Sequence, residues 1–263
     1  MSSPGIPVVI PTFRSPEKIA RTLAALKQSI REVIPVPLDH SEESCALTKY
    51  VNVGLTKYAF RGPSTPFVMI LGQDASVRPD CVGYLRDYMT HDPACGIAMA
   101  VQVGSDGTSV NCGGCLAAFP YGSHVTEPLT HTIYSGPPFE SYWANFSCVM
   151  LRTEMIRECG LLDKNMRFIC SDSDYSFTAR ARGWKVMLVP EARCEHEAGG
   201  ANAISDPFVE SVKAKDLLYF IEKWITGSRY CQLAYEGPNL TAEAVTAQVT
   251  KLRAYLKQNE KQP

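Results

Sequence analysis

The sequence predicts an α/β fold, in which a mainly parallel central sheet has helices on both faces and a C-terminal helical extension. Two observations predict it. Short apolar segments alternate with amphipathic helical patterns along the N-terminal part of the chain. Apolar stripes at helical spacing then recur near the C-terminus.

The first predicted unit is a strand at residues 7–11 and the helix after it. The strand is apolar, with proline at both ends, as a buried parallel strand would be. Ser15 is the expected N-cap of the helix, and Pro16 is its first residue. The helix carries one apolar stripe, formed by Ile19, Leu23, Leu26 and Ile30.

The next predicted strands are residues 33–38, 67–71 and 97–101. Helices predicted from the apolar stripe of residues 47–58 and from residues 79–90 separate them. This alternation indicates parallel strands joined by crossover helices. Asp39 and Asp74 then lie at carboxyl ends of strands, so two acids are expected at one edge of the sheet.

The second half of the chain is less regular. Residues 104–142 are rich in glycine, proline, serine and threonine, and predict irregular structure over the site, with hairpins near 106–107 and 113–114. A strand-like run at 143–151 and a short helix at 153–160 follow. Two acids, Asp172 and Asp174, then head a helix that Gly183 closes, before a short strand and His196.

Amphipathic helices are predicted at residues 208–224 and from about 241 to 257. The last carries an apolar stripe that can pack on the main body or on a partner chain. We therefore expect one domain at residues 1–226 and a dependent helical extension at 227–263, with a homodimer through the last helix as one possibility.

Composition excludes several classes of function. The formal net charge of −1 offers no basic surface for nucleic acid. No run reaches the roughly 18 apolar residues of a membrane span, and the first residues lack the pattern of a secretory signal, which predicts a cytoplasmic protein. The ten cysteines are scattered and are expected to be reduced. Cys112 and Cys115 have CxxC spacing but no second ligand pair for zinc.

Each candidate residue also has an ordinary structural explanation. Asp172 or Asp174 can cap a helix, because free backbone N–H groups and the helix dipole favour acids there. An aspartate after a strand often forms a turn. Trp143 is as readily a core residue as a sugar platform, and His196 as readily a structural hydrogen-bonding group as a ligand.

Several short motifs occur in order along the chain. A strand ends in Pro11-Thr12 before Phe13-Arg14-Ser15-Pro16-Glu17. The later motifs are Asp39-His40-Ser41, Asn52-Val53-Gly54, Leu71-Gly72-Gln73-Asp74, Gly160-Leu161-Leu162-Asp163, Ser171-Asp172-Ser173-Asp174, Val189-Pro190-Glu191-Ala192 with His196, and Phe220-Ile221-Glu222-Lys223-Trp224. In this order the motifs, over about residues 7 to 226, resemble the inverting family 2 glycosyltransferases of GT-A fold, in particular the rhamnosyltransferase-like branch.

The resemblance implies a role for each candidate. A nucleotide-diphosphate sugar, with UDP first and dTDP or GDP as alternatives, would be bound by Pro11, Thr12, Arg14, Asp39, Asn52, Gln73 and Asp74. Asp74 and His196 would hold Mn²⁺ or Mg²⁺, which are hard cations suited to phosphate oxygens. Asp172 would be the general base for a glycan acceptor. Trp143 would contact that acceptor, and Asp174 would contact it or brace the start of the helix.

The chain departs from the family pattern at four positions. Gly72 stands where the metal-binding DxD motif has its first acid, Ser171 replaces the glutamate before the base, Thr178 replaces an arginine, and His40 replaces an asparagine. A non-catalytic relative that binds nucleotide sugars or glycans is therefore the alternative hypothesis. A sugar nucleotidylyltransferase ranks last, since residues 11–16 are not a glycine-rich phosphate loop.

Overall fold

The structure is a computed structural model that describes residues 5–29, 33–62, 65–104, 110–112, 115–116, 123–124, 136–196, 206–226 and 241–259. Its strands are β1 Ile6–Thr12, β2 Val33–Asp39, β3 Phe67–Leu71, β4 Ala75–Val77, β5 Cys95–Val103, β6 Val110–Cys112, β7 Cys115–Leu116, β8 Ser123–His124, β9 Phe139–Glu140, β10 Cys148–Arg152 and β11 Lys185–His196. Its helices are α1 Pro16–Lys27, α2 Leu47–Leu55, α3 Cys81–His91, α4 Thr153–Cys159, α5 Ser171–Arg180, α6 Pro207–Ile221 and α7 Ala242–Asn259. The hairpin tips predicted at 106–107 and 113–114 lie outside the described residues.

The central sheet has the strand order β2-β1-β3-β10-β5-β11-β4. Strands β2, β1, β3, β5 and β11 run in one direction, whereas β10 and β4 run against their neighbours. The mainly parallel sheet is thus confirmed. Strand β10 is inserted between β3 and β5, and its residues Cys148–Met150 are buried like the strands on either side.

Helices cover both faces of the sheet, as predicted. On one face, Leu26 of α1 and Leu85 of α3 join the core with the inward side chains of β1, β3 and β5. On the other, Val51 of α2 and Ile156 of α4 do the same. Gly54 lets α2 approach β1 closely, since a Cβ there would lie 2.5 Å from Val9 Cγ2.

The C-terminal helices form a separate layer beside α5. A π-helical turn, Glu222–Thr226, continues α6. The apolar stripe of α7 packs against α6 of the same chain, around Ile221, Val245 and Leu252. The division at residue 226 and a homodimer through α7 stay predictions. In the described part of the chain, no helix combines the length and apolar character needed to cross a bilayer.

Candidate active site

The loops after β1 and β2 are tied together at the carboxyl edge of the sheet. Asp39 accepts hydrogen bonds from the Ser41 hydroxyl at 2.6 Å and the Ser41 backbone N–H at 3.0 Å, and these bonds lower the pKa of its carboxyl group. Arg14 donates through its backbone N–H to the Ser41 hydroxyl and through Nε to the Ser41 carbonyl. Arg14 has φ of 46°, a conformation costly for a non-glycine residue and frequent at functional sites.

Gln73 joins the β1–α1 loop to the end of β3. Its side-chain amide accepts from the Phe13 backbone N–H at 2.6 Å and donates to the Phe13 carbonyl at 3.2 Å. The Phe13 ring in turn stacks on the His40 ring, with 5.2 Å between the centroids. Gln73 therefore positions the β1–α1 loop. The Phe13 ring and the exposed side chains of Arg14 and Asp39 lie beside it.

Three predicted nucleotide contacts are less accessible than expected. Pro11 and Thr12 are buried at the end of β1, so Phe13 and Arg14 take the accessible positions of this loop. The Asn52 side chain pairs with the Leu162 backbone in both directions, at 2.9 Å each. It braces α2 against the segment before α5. Nucleotide binding by these three residues stays a prediction that their surroundings weigh against.

Asp74 and His196 meet at the carboxyl edge. Asp74 Oδ1 lies 3.4 Å from His196 Nε2, and the two side chains are 17% and 18% exposed. Burial acts to raise the pKa of the Asp74 carboxyl group, but the hydrogen bond and charge of His196 lower it below its usual value. The pairing β11–β4 brings them together, because His196 is registered with Ala75.

Gly72, where the family motif has an acid, lies directly against the Asp74 carboxylate. A Cβ at Gly72 would lie 3.0 Å from Asp74 Oδ1. The Gly72 N–H donates to the Ser147 carbonyl at 2.8 Å, and its carbonyl accepts from Ala75 at 3.1 Å. The absence of a side chain here therefore leaves room for the position that Asp74 occupies.

The segment at residues 144–147 connects this edge to α5. Ser147 Oγ lies 3.2 Å from His196 Nε2 and donates to Asn145 Oδ1 at 2.6 Å. Three residues earlier, the Ala144 N–H donates to Ser176 Oγ at 3.1 Å. Ser176 in turn donates to the Asp172 carbonyl at 2.7 Å. One short segment therefore links the Asp74–His196 pair to the helix that carries Asp172.

Asp172 occupies the first turn of α5, where the helix dipole favours a carboxylate. It is half-buried, and its Oδ1 accepts from the Ser173 backbone N–H at 2.8 Å. The residue before α5, Cys170, has a left-handed φ of 64°. The buried Asp216 of α6 holds this turn by accepting from the Phe168 and Ile169 N–H groups at 2.7 and 3.0 Å.

The acceptor-binding role predicted for Asp174 stays a prediction that its surroundings weigh against. Its side chain is 2% exposed, and Oδ1 accepts from Lys223 Nζ and from Trp224 Nε1, each at 2.7 Å. Burial raises the pKa of the Asp174 carboxyl group, although Lys223 and Trp224 act in the opposite direction. A carboxylate enclosed in this way holds α5 to the end of α6.

Lys223 connects three of the sequence motifs. Besides Asp174, its ammonium group contacts Asp163 Oδ2 at 3.0 Å, and Tyr219 donates to the same oxygen at 3.0 Å. Burial acts to lower the pKa of Lys223, but the two acids raise it. The motifs at residues 160–163, 171–174 and 220–224 thus meet in one ionic cluster.

The acceptor contact predicted for Trp143 also stays a prediction that its surroundings weigh against. Its side chain is 4% exposed and packs in a core cluster with Met166, Cys170, Phe177, Phe220 and Trp224. The ring therefore lies in the core. This is the core alternative that the sequence left open.

Several residues of the candidate site were not predicted from the sequence. Phe13 and Lys223 lie within two of the sequence motifs and could have been identified from them. Ser147 belongs to Asn145-Phe146-Ser147, which has the pattern of a glycosylation sequon and no other local signal. Its contact with His196 follows from the insertion of β10 beside β3, which local pattern did not reveal.

Comparisons with known proteins establish the fold. No protein-family profile matches the chain, and no curated protein sequence matches it. The crystal structure of GalNAc-T7 with UDP, GalNAc and Mn²⁺ aligns with a TM-score of 0.64 at 14% identity, over 97% of this chain and 55% of that one. The crystal structure of TarS from S. aureus aligns with a TM-score of 0.54 at 10% identity, over 97% of this chain and 54% of that one.

The chain spans about half the length of both of these structures. Identities this low show the fold alone, which is the GT-A fold.

Proposed function

We propose that this protein is a glycosyltransferase that moves a sugar from a nucleotide-diphosphate donor to a hydroxyl acceptor. The observation that carries the proposal is the link through residues 144–147 between two centres of different chemistry. One is the Asp74–His196 pair, and the other is the carboxylate of Asp172. The sequence resemblance adds family 2 and its rhamnosyltransferase-like branch as the finer assignment.

The nucleotide side of the site is the loop pair after β1 and β2. Asp39 offers an exposed carboxylate that can accept hydrogen bonds from a base edge. Phe13 presents a ring beside it, and Arg14 lies 5.0 Å from that ring. We assign UDP as the first nucleotide to test, with dTDP and GDP next. GalNAc-T7, which shares the fold, has UDP bound in its structure.

Asp74 and His196 suit one divalent cation. A carboxylate oxygen and an imidazole nitrogen 3.4 Å apart can both bind one ion of the size of Mg²⁺ or Mn²⁺. Among the described residues no group of three or more His, Cys, Asp and Glu side chains is arranged for a metal, so donor phosphate oxygens and water would complete the coordination. The cation would offset charge on the leaving diphosphate.

Asp172 is the base in this proposal. Its carboxylate accepts the proton of the acceptor hydroxyl as that oxygen attacks the anomeric carbon, opposite the departing nucleotide. The bond from anomeric carbon to phosphate oxygen breaks as the new one forms, so the configuration inverts. Asp216 and Asp174 hold the helix that carries the base from two sides.

A non-catalytic relative that binds a nucleotide sugar or a glycan is the alternative. Gly72, in place of an acid, favours it, because a metal held by fewer carboxylates binds more weakly. However, Gly72 also makes room for the observed Asp74–His196 contact. A measurement of turnover is therefore needed to distinguish the enzyme from the non-catalytic relative.

The experiment compares the wild type with Asp74→Asn. Calorimetry with UDP, dTDP and GDP, with Mn²⁺ or with a chelator, measures donor binding, and release of nucleotide from the corresponding sugar nucleotides measures turnover. We expect Mn²⁺-stimulated binding and turnover in the wild type, and loss of the Mn²⁺ stimulation in Asp74→Asn. Binding without turnover on any acceptor tested would favour the non-catalytic alternative, and no binding of any nucleotide would overturn the proposal.

A further inference from the structure

Lys18 and Arg21 lie in a cleft whose opposite wall carries the proposed metal ligands. The α1 wall is formed by Lys18, Arg21 and Thr22, and the sheet wall includes Asp74 and His196. The three α1 residues have i, i+3 and i+4 spacing, so they share one face of the helix. The nucleotide assignment above uses neither Lys18 nor Arg21.

Thr22 fixes the distance between these walls. Its buried hydroxyl lies 2.8 Å from the Gln73 carbonyl and 3.0 Å from the Ala75 carbonyl. These two carbonyls flank Asp74 in sequence. The cationic face of α1 is therefore anchored directly to the turn that presents the Asp74 carboxylate.

The cleft carries two cationic side chains beside the Asp74 carboxylate. Lys18 and Arg21 line it together with Asp74 and Glu195, and Glu195 forms an ion pair with Arg78 at 2.7 Å. Lys18 is near enough for its charge to help lower the pKa of Asp74.

We infer that Lys18 and Arg21 bind the diphosphate of the donor from the α1 side of this cleft. The inference rests on the proposed nucleotide-sugar function and adds two binding residues to it. Departure of the sugar leaves an additional negative charge on the nucleotide diphosphate. An ammonium and a guanidinium group facing Asp74 and His196 can stabilise that charge, and guanidinium suits two phosphate oxygens at once.

This contact also bears on the absence of an acid at Gly72. With one carboxylate, Asp74, in place of the two of a DxD motif, the site is less negative. The diphosphate then depends less on a divalent cation and more on the two α1 cations. Part of the nucleotide affinity should therefore survive chelation of the metal, and that part should require Lys18 and Arg21.

The test measures binding of the tightest of UDP, dTDP and GDP, and of the matching nucleoside, by calorimetry. The proteins are the wild type, the Lys18→Met/Arg21→Met double variant and Lys27→Met, which removes an exposed charge from the far end of α1. Each is measured with Mn²⁺ and with a chelator. Inorganic pyrophosphate distinguishes a nucleotide site from a general phosphate site, and thermal unfolding checks that each variant is folded.

We expect the double variant to bind the nucleoside diphosphate at least about tenfold more weakly, which is about 1.4 kcal/mol. The loss should be larger in chelator, and nucleoside binding and Lys27→Met should be unchanged. Unchanged diphosphate affinity in the double variant, or an equal loss for the nucleoside, would overturn this inference alone. Binding of pyrophosphate but of no nucleotide by the wild type would overturn it together with the proposed function.

Discussion

Asp172 and Asp174 lie on the same turn of α5, yet they differ in burial and in hydrogen-bond partners. Asp172 is half-buried at the helix head and accepts from the backbone N–H of its neighbour. Asp174 is enclosed, and it accepts from an ammonium group and an indole N–H on α6 and its continuation. A residue two positions along a helix points to a different side, and here Asp174 points into the core whereas Asp172 stays half-buried.

The difference shows how a site can be both reactive and rigid. A general base has to reach a hydroxyl proton, so it needs an accessible carboxylate. The helix beneath it must not move, and a buried, fully bonded carboxylate supplies that constraint. In the proposed function Asp174 therefore positions the helix, whereas the resemblance also allowed it to contact the acceptor.

Removing the buried acid should have the largest effect on stability. Asp174→Ala removes this partner from the Trp224 N–H and from Lys223, which keeps its contact with Asp163. Breaking a buried pair costs about 3–5 kcal/mol, and the retained Asp163 contact places the expected loss at the lower end of that range. Urea unfolding measures the change. Asp172→Ala on the same turn is the matched control, for which we expect a loss below about 1 kcal/mol. Equal losses in the two variants would contradict the distinction between them.

The indole hydrogen bond should contribute the next largest share. Trp224→Phe keeps most of the buried ring but removes a donor to a carboxylate, which costs about 1.5–3 kcal/mol. Trp184→Phe is the control, because Trp184 Nε1 donates to Glu158 at an exposed position, at 2.9 Å. Its loss should be clearly smaller by urea unfolding. Equal sensitivity at both tryptophans would show that burial of the Asp174 carboxylate is unimportant.

Gly72→Ala should weaken nucleotide binding in the presence of Mn²⁺ by about tenfold, or about 1.4 kcal/mol. The added Cβ would lie 3.0 Å from Asp74 Oδ1 and displace it from His196. Calorimetry on Gly72→Ala, Asp74→Asn and the double variant checks this. Because both changes act on one carboxylate, the double variant should lose less than the sum of the two single losses. Additive losses would place Gly72 outside this contact.

The smallest effect is a pH dependence from Asp216. Burial raises the pKa of this carboxyl group above its usual 3.8, against the effect of its backbone donors. The folded state thus retains a proton that the unfolded state releases, so this contribution to the unfolding free energy falls as pH rises from about 3.8 through the folded-state pKa. Wild type should lose stability relative to Asp216→Asn over that range. The same change of unfolding free energy with pH in the two proteins would contradict the raised pKa.

Local pattern predicted most of the elements. Strands β1, β2, β3 and β5 and the helices around them follow from apolar runs and helical stripes. The insertion of β10 between β3 and β5 was not predicted, because pairing between distant strands depends on the whole sheet. For the same reason the contact between Ser147 and His196 could not be read from the sequence.

The site was predictable at the level of motifs but not of individual side chains. Asp74 and His196, to which the resemblance assigned one metal ion, lie 3.4 Å apart. Whether Asp172 or Asp174 faces the site depends on Lys223 and Trp224, which lie about fifty residues later in the chain. Burial of Trp143 likewise depends on α6, which packs over it.

Turnover of Asp172→Asn and Asp174→Asn, measured side by side with the tightest-binding sugar nucleotide, tests the central claim most directly. Loss of a general base lowers the rate by about 10²–10⁴-fold. We predict a loss of that size in Asp172→Asn, with nucleotide affinity and unfolding free energy close to the wild type. Asp174→Asn should instead lose stability and keep most of its turnover while folded. Wild-type turnover in Asp172→Asn would contradict the assignment of Asp172 as the base.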